Sequence, residues 1–172
     1  MASGPRADVV QLGVVAVYHC YSRCVRRAFL LGFDKLSGVD YTPRRQWLHA
    51  MQRQLASLFA IEVGFHAEMA NHIHLVLRTR PDVAETWSDE EVVRRWLTIT
   101  KLAKSRDGSV AEPARLRMAI ELNLPGRVKK LRQRLSHPSW FLGILCEYVA
   151  RRCNREDGCR GVFWEDRSGC EA

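Results

Sequence analysis

The pattern of apolar and polar positions predicts a chain that combines strands with helices. Apolar residues alternate along residues 61–68 and again along residues 69–77, and a side-chain period of two is typical of strands. Residues 14–22 form a further apolar, β-branched stretch that predicts an earlier strand. Small and polar residues at and before Asn71 predict a tight turn, so that residues 61–77 form a β-hairpin.

Helical spacing marks several other segments. Pro43 in a first turn and an apolar stripe predict a helix over residues 44–59. Residues 88–91, SDEE, form a capping box before a second helix. Ser136 as a cap and Pro138 in the first turn predict the clearest helix, whose stripe includes Phe141, Leu145 and Tyr148.

These elements predict one α+β domain over residues 1–172, with an antiparallel sheet of four to five strands and helices mainly on one face. Residues 1–12 are expected to form a loose arm, and residues 29–40 a loop. Residues 100–135 are polar and basic and are expected to form a helical insertion. Residues 162–164, VFW, predict a short final strand.

The charge balance favours a polyanionic partner. Twenty-seven Lys and Arg residues against 19 Asp and Glu give a formal net charge of +8, although a basic surface without a ligand is the alternative. No apolar run is long enough to span a membrane, and no secretory signal is evident. Six cysteines occur without a Cys-x-x-Cys pair, so we expect reduced thiols, no structural zinc site of that kind and a cytoplasmic location.

Two histidines stand out within the hairpin. His72 and His74 are two positions apart on a predicted strand, so both project from one face and their imidazoles can converge on a divalent ion or a phosphate. The alternative is a pair of ordinary strand histidines. Arg23, Arg26 and Arg27 follow the first predicted strand and predict a phosphate-binding cluster, with a solvated loop as the alternative.

Three stretches carry a further signal: residues 17–24 (VYHCYSRC), residues 65–75 (FHAEMANHIHL), and residues 150–155 (ARRCNR) followed by residues 161–167 (GVFWEDR). Together they resemble the REP-associated tyrosine transposases, a branch of the HUH endonucleases that cut single-stranded DNA with a metal ion and a tyrosine. They occur in the family's order and span most of residues 17–167. The combination is specific, whereas each stretch alone is weak.

The resemblance implies a ferredoxin-like HUH nuclease fold, a partner of single-stranded or hairpin DNA, and a divalent ion, Mn²⁺ or Mg²⁺. In that mechanism the ion held by His72 and His74 polarises the scissile phosphate, and Glu68 or His66 is a candidate third ligand. A tyrosine hydroxyl then attacks, which leaves a 5′-phosphotyrosine and a free 3′-OH. The implied DNA-binding residues are His19, Arg23, Arg26, Arg27, Arg151, Arg152, Asn154, Arg155 and Arg167.

The nucleophile departs from the family pattern. The family's tyrosine lies on a helix after the Phe-Trp strand, but this chain has no tyrosine after Tyr148 and stops at Ala172. Tyr148 is therefore the candidate nucleophile, although its helical spacing also fits core packing. Tyr18 and Tyr21 are expected to pack or to stack on DNA.

Three explanations for the missing tyrosine remain open: a truncated transposase, a domesticated DNA-binding protein, and a chain completed by a partner's helix. The expected function is DNA binding with metal-dependent nicking and joining, and the alternative is DNA binding without catalysis. A small metal-dependent hydrolase unrelated to DNA is disfavoured by the basic balance. The sequence leaves monomer and homodimer open.

Overall fold

The structure, a computed structural model, describes residues 10–25, 29–109, 111–165 and 168–172. The expected arm lies mostly outside this range, because residues 1–9 are not described. Arg26, Arg27 and Arg167 also lie outside the described residues, so their predicted DNA contacts stay predictions.

The described residues contain four strands and six helices, in an order that begins with a strand and ends with one. Along the chain they are β1 (Val17–Arg23), α1 (Arg44–Leu58), β2 (Ile61–Glu68), β3 (His72–Thr79), α2 (Pro81–Thr86), α3 (Asp89–Leu102), α4 (Arg115–Asn123), α5 (Arg127–Leu135), α6 (Pro138–Glu156) and β4 (Gly169–Glu171).

The strands form one antiparallel sheet in the order β2-β3-β1-β4. Because β3 is antiparallel to both of its neighbours, β1 and β2 run in the same direction on either side of it. The chain passes from β1 to β2 through α1, which is the split β-α-β arrangement. The predicted α+β class and the antiparallel sheet are confirmed.

Among the described residues, the helices cover one face of the sheet. Tyr18 and Cys20 on β1 and Leu75 and Leu77 on β3 are buried, and the residues between them on both strands are more exposed. The buried side chains join the apolar stripes of the helices in one core cluster. The expected placement of the helices on one face is therefore confirmed, and the other face of β1 and β3 is open to ligands.

Side-chain caps begin two of the described helices. Ser88 Oγ accepts a hydrogen bond of 3.2 Å from the backbone N–H of Glu91, which confirms the predicted capping position. The cap predicted at Ser136 is wrong, because His137 precedes α6 and its Nδ1 accepts a hydrogen bond of 3.2 Å from the Ser139 N–H. Within the basic segment, α5 buries Leu131 and Leu135 completely, so this segment also contributes to the core.

The predicted final strand over residues 162–164 is wrong. Trp164 forms a single bridge with Cys24, and the last strand is Gly169–Glu171, paired with β1. Phe163 is buried, and Trp164 Nε1 donates a hydrogen bond of 2.8 Å to the carbonyl of Cys146 on α6. Backbone hydrogen bonds from the Val25 N–H to the Phe163 carbonyl (2.9 Å) and from the Glu165 N–H to the Arg23 carbonyl (2.7 Å) flank this bridge. The segment therefore meets the end of β1 at one bridge, and its two aromatic side chains hold it to the core.

Candidate metal and nucleic-acid site

The open face of the two central strands brings together five of the side chains that can bind metal or phosphate. We call them the histidine face: His19, Tyr21, Arg23, His72 and His74. The register of β1 against β3 sets Tyr21 opposite His74 and Arg23 opposite His72. Paired residues of an antiparallel ladder share a face. The predicted same-face position of His72 and His74 is therefore present, and His19 joins them.

The imidazoles of the histidine face are in contact. His19 Nε2 lies 2.8 Å from His74 Nδ1, and these two rings are stacked with centroids 5.1 Å apart. The His72 and His74 rings lie edge to face with centroids 5.0 Å apart. The centroids of the Tyr21 and His74 rings are 6.0 Å apart.

Hydrogen bonds set which ring nitrogens are available as ligands. His72 Nδ1 lies 2.8 Å from Asn71 Oδ1. Because an amide oxygen only accepts, this contact is a hydrogen bond when the His72 proton is on Nδ1, and Nε2 then offers its lone pair. When His74 donates from Nδ1 to His19, its Nε2 also becomes a ligand atom. Metal-binding histidines commonly have their second nitrogen held in this way, which gives His19 a positioning role.

The electrostatics keep His74 in the form that binds metal. Burial, together with the neighbouring charges of His19 and His72, lowers the pKa of His74 below its ordinary value. The imidazole is therefore neutral at neutral pH, as a metal ligand must be.

A shallow depression of about 450 Å³ opens on the histidine face. It is lined by Tyr21, Arg23, His72, His74 and Glu165. The Arg23 side chain is 62% exposed, and its Nε lies 3.8 Å from a carboxylate oxygen of Glu165. Such an exposed ion pair is weak, so the guanidinium can exchange this partner for a phosphate.

The structure does not bring Glu68 to the histidine face. Glu68 pairs with Ile73 and His66 with Leu75, and both partners on β3 point into the core. The expected third ligands therefore lie on the other face of the sheet from His72 and His74.

Glu68 instead forms a second group, the His–His–Glu cluster, with His49 of α1 and His66 of β2. Its carboxylate lies 3.0 Å from His49 Nε2 and 2.8 Å from His66 Nδ1. One ligand atom from each of the three residues lies within 4.8 Å of the others, so the cluster could hold a metal ion. Among the described residues it is the one such group of histidine, cysteine and carboxylate side chains.

Hydrogen bonding keeps Glu68 ionised. Burial by itself raises the pKa of this carboxyl, but hydrogen bonds from His49 and Gln52 outweigh it and hold the pKa below its ordinary value. The spacing of His66 and Glu68, two positions apart on a strand, signals that they share a face. The sequence held no signal that connects His49 to them.

Tyr148 also lies away from the histidine face. Its side chain is 2% exposed, on the part of α6 that packs in the core, and its hydroxyl accepts a hydrogen bond of 2.9 Å from Arg152 Nη1. The Trp47 ring packs edge-on against it. The structure thus gives Tyr148 the core-packing role that its helical spacing also allowed.

The other polar residues predicted to bind DNA from this helix make contacts within the chain. Arg151 pairs with Glu147 at 2.7 Å, and Arg152 with Glu156 at 3.2 Å. The Asn154 side chain donates to the Gly161 carbonyl at 2.9 Å, and that of Arg155 to the Arg106 carbonyl at 3.3 Å. The structure does not place them beside the His72 and His74 pair.

Two cysteine thiols are unsuited to nucleophilic chemistry. Burial, with smaller contributions from neighbouring groups, raises the pKa of Cys24 and of Cys153 to about 12. Both therefore remain protonated at neutral pH.

Comparison with known proteins adds no relative: the chain matches no family model, no curated protein and no solved structure. Within the described part of the chain, no helix has both the length and the apolar character needed to cross a bilayer.

The contact between His19 and His74 can be tested by titration. We expect His19→Ala to raise the pKa of His74 towards its ordinary value, because the substitution removes a neighbouring charge and part of the burial that lower it. An NMR titration of the imidazole signals measures this shift. His66→Ala, on the opposite face of the sheet, is the control and should leave His74 unchanged. A His74 pKa that stays constant in His19→Ala would contradict the contact.

Proposed function

We propose that the histidine face binds single-stranded DNA and that His72 and His74 hold a divalent ion against one of its phosphates. The observation that carries this proposal is the convergence of three imidazoles, a phenol and an exposed guanidinium on the uncovered face of the two central strands. These groups bind metal, stack on bases and pair with phosphates, respectively.

The surroundings of this face support DNA as the ligand. The chain carries a formal net charge of +8, which favours a polyanion through counterion release. An uncovered sheet face with aromatic rings is a platform on which unpaired bases can stack. The REP-associated transposase resemblance and the split β-α-β order, which fits a ferredoxin-like fold, support the same ligand.

The imidazole ligands of His72 and His74 favour a divalent metal ion of borderline softness. Imidazole nitrogens suit Mn²⁺ better than Mg²⁺, which prefers oxygen ligands. Such an ion bound to a phosphate oxygen withdraws charge from the phosphorus and fixes the phosphate in place. In this proposal Arg23 makes the adjoining phosphate contact, and His19 holds His74 in the ligating tautomer.

Binding can be measured by fluorescence anisotropy with a labelled hairpin-forming single-stranded oligonucleotide, with Mn²⁺ or with EDTA. We expect Arg23→Ala to weaken binding about tenfold, the loss of one charge-assisted hydrogen bond. The slope of log affinity against log salt should fall by about 0.7, the value for one phosphate contact on a single strand. His74→Ala should remove the Mn²⁺-dependent part of the affinity and leave the affinity in EDTA unchanged.

Arg53→Ala is the matched control, since Arg53 is an exposed arginine on α1. It should leave the affinity within about twofold of the wild type, as expected for a distant surface substitution. Equal losses in Arg53→Ala and Arg23→Ala would mean that the net charge, and not the histidine face, determines binding.

A second candidate function is cleavage of the bound strand by Tyr21. Tyr21 is half-buried, lines the same depression as His72 and His74, and packs over Gly169, where an added Cβ would lie 2.6 Å from its hydroxyl. In this step the Tyr21 oxygen bonds to phosphorus, the bond from phosphorus to the 3′-oxygen breaks, and the phenolic proton passes to that oxygen. The products are a 5′-phosphotyrosine and a 3′-OH.

Covalent trapping separates this candidate from binding alone. The protein is incubated with Mn²⁺ and a 3′-labelled hairpin oligonucleotide and analysed on a denaturing gel. We expect an adduct that Tyr21→Phe abolishes and Tyr148→Phe retains, because only Tyr21 lies beside the His72 and His74 pair. An adduct lost only in Tyr148→Phe, or no adduct while DNA binding persists, would overturn the assignment to Tyr21.

A further inference from the structure

The His–His–Glu cluster is separated from the histidine face by the sheet itself. His66 and Glu68 project from β2 on the side where the helices pack, and His49 reaches them from α1. His72 and His74 project from β3 on the opposite side. An ion held by the cluster would therefore be distinct from one held by the His72 and His74 pair.

The donor set points to a particular class of ion. Two imidazoles and one carboxylate are the three protein ligands in many zinc sites. The same set of donor atoms also suits other divalent transition-metal ions of borderline softness. Mg²⁺ and Ca²⁺ prefer sets made of oxygen. Gln52 donates a hydrogen bond of 3.2 Å to Glu68 Oε1, and carboxylates that bind metal ions are commonly oriented by such a hydrogen bond from a neighbouring side chain.

The charge of Glu68 is the second argument. Its side chain is 6% exposed, and its hydrogen-bond partners among the described residues are His49, His66 and Gln52. None of these is a permanently charged cation. A divalent ion between the two imidazoles would place a permanent positive charge beside this buried carboxylate.

The geometry allows an ion to enter and to be bound. Ligands at about 2.0–2.1 Å from a tetrahedral ion lie roughly 3.3 Å apart. The three ligand atoms already lie within 4.8 Å of one another, so side-chain movements of about an ångström complete the site. The side chains of His49 and His66 are 27% and 39% exposed, which leaves an entry path and room for a water ligand.

We propose that His49, His66 and Glu68 form a second metal site, which binds a borderline divalent transition-metal ion, best Zn²⁺, and ties α1 to the end of β2. This site is independent of the DNA-binding proposal. Glu68 is the last residue of β2, and the turn that follows leads directly to His72. The bound ion therefore stabilises the start of the hairpin turn and raises the thermal stability of the whole chain, since it binds the folded state more tightly than the unfolded state.

The test uses the full chain carrying His72→Ala and His74→Ala, so that the His72 and His74 pair cannot contribute to the response. Zn²⁺ binding is measured by competition with a chromogenic chelator, and Co²⁺ binding by its visible absorption. We expect one equivalent of bound Zn²⁺ and a Zn²⁺-dependent rise in Tm. Adding Glu68→Gln, which keeps the size of the side chain, should weaken Zn²⁺ binding at least tenfold. Adding His66→Ala instead should weaken Zn²⁺ binding to a similar extent, and this substitution changes a more exposed side chain.

Glu62→Gln on the same strand is the matched control, because Glu62 is exposed and pairs with Arg78 and Arg80. It should leave Zn²⁺ binding unchanged. Absence of Zn²⁺ binding by the folded His72→Ala/His74→Ala chain, or undiminished binding after Glu68→Gln and His66→Ala, would overturn the proposal. Neither result alters the DNA-binding test, which depends on Arg23 and His74.

Discussion

The alternation of side chains along β3 is the constraint on which the rest of the structure depends. Ile73, Leu75 and Leu77 point into the core, so the residues between them must point away from it. A shift of one residue in the pairing of β3 would expose these apolar side chains and bury the histidines. The apolar core therefore holds His72 and His74 on the open face.

The hairpin turn between β2 and β3 is hydrogen-bonded to two neighbouring parts of the chain. Met69 N–H donates to the His72 carbonyl at 2.8 Å, which closes a turn with two central residues. The carbonyls of Ala70 and Asn71 accept hydrogen bonds from the N–H groups of Leu30 and Cys24. The turn is thus held from both sides, and Asn71 has its side chain in place to orient His72.

Much of this arrangement could be predicted from the sequence because it depends on local periodicity. The strand over residues 61–68, the helix from Arg44 and the cap at Ser88 follow from spacing and capping chemistry, and each is confirmed. The pairing of Glu68 with Ile73 follows only when the turn is known to have two central residues. The contact of His49 with Glu68 depends on how α1 packs against β2, and no local pattern encodes that packing.

The structure of residues 136–172 could likewise not be predicted in full from local sequence patterns. Tyr148 fits both a core stripe and a catalytic helix, and only its packing against Trp47 decides between them. Residues 162–164 have strand composition, but their pairing with the end of β1 is limited to the single bridge between Trp164 and Cys24. A short apolar run does not by itself determine how many of its residues pair with a neighbouring strand.

Mapping NMR chemical shifts during a titration with hairpin single-stranded DNA tests the proposal that the uncovered sheet face is the DNA-binding surface. We expect the largest shifts at residues 19–23 and 72–76, on both central strands. Shifts concentrated on Arg151 and Arg155 of α6, with residues 72–76 unchanged, would contradict it.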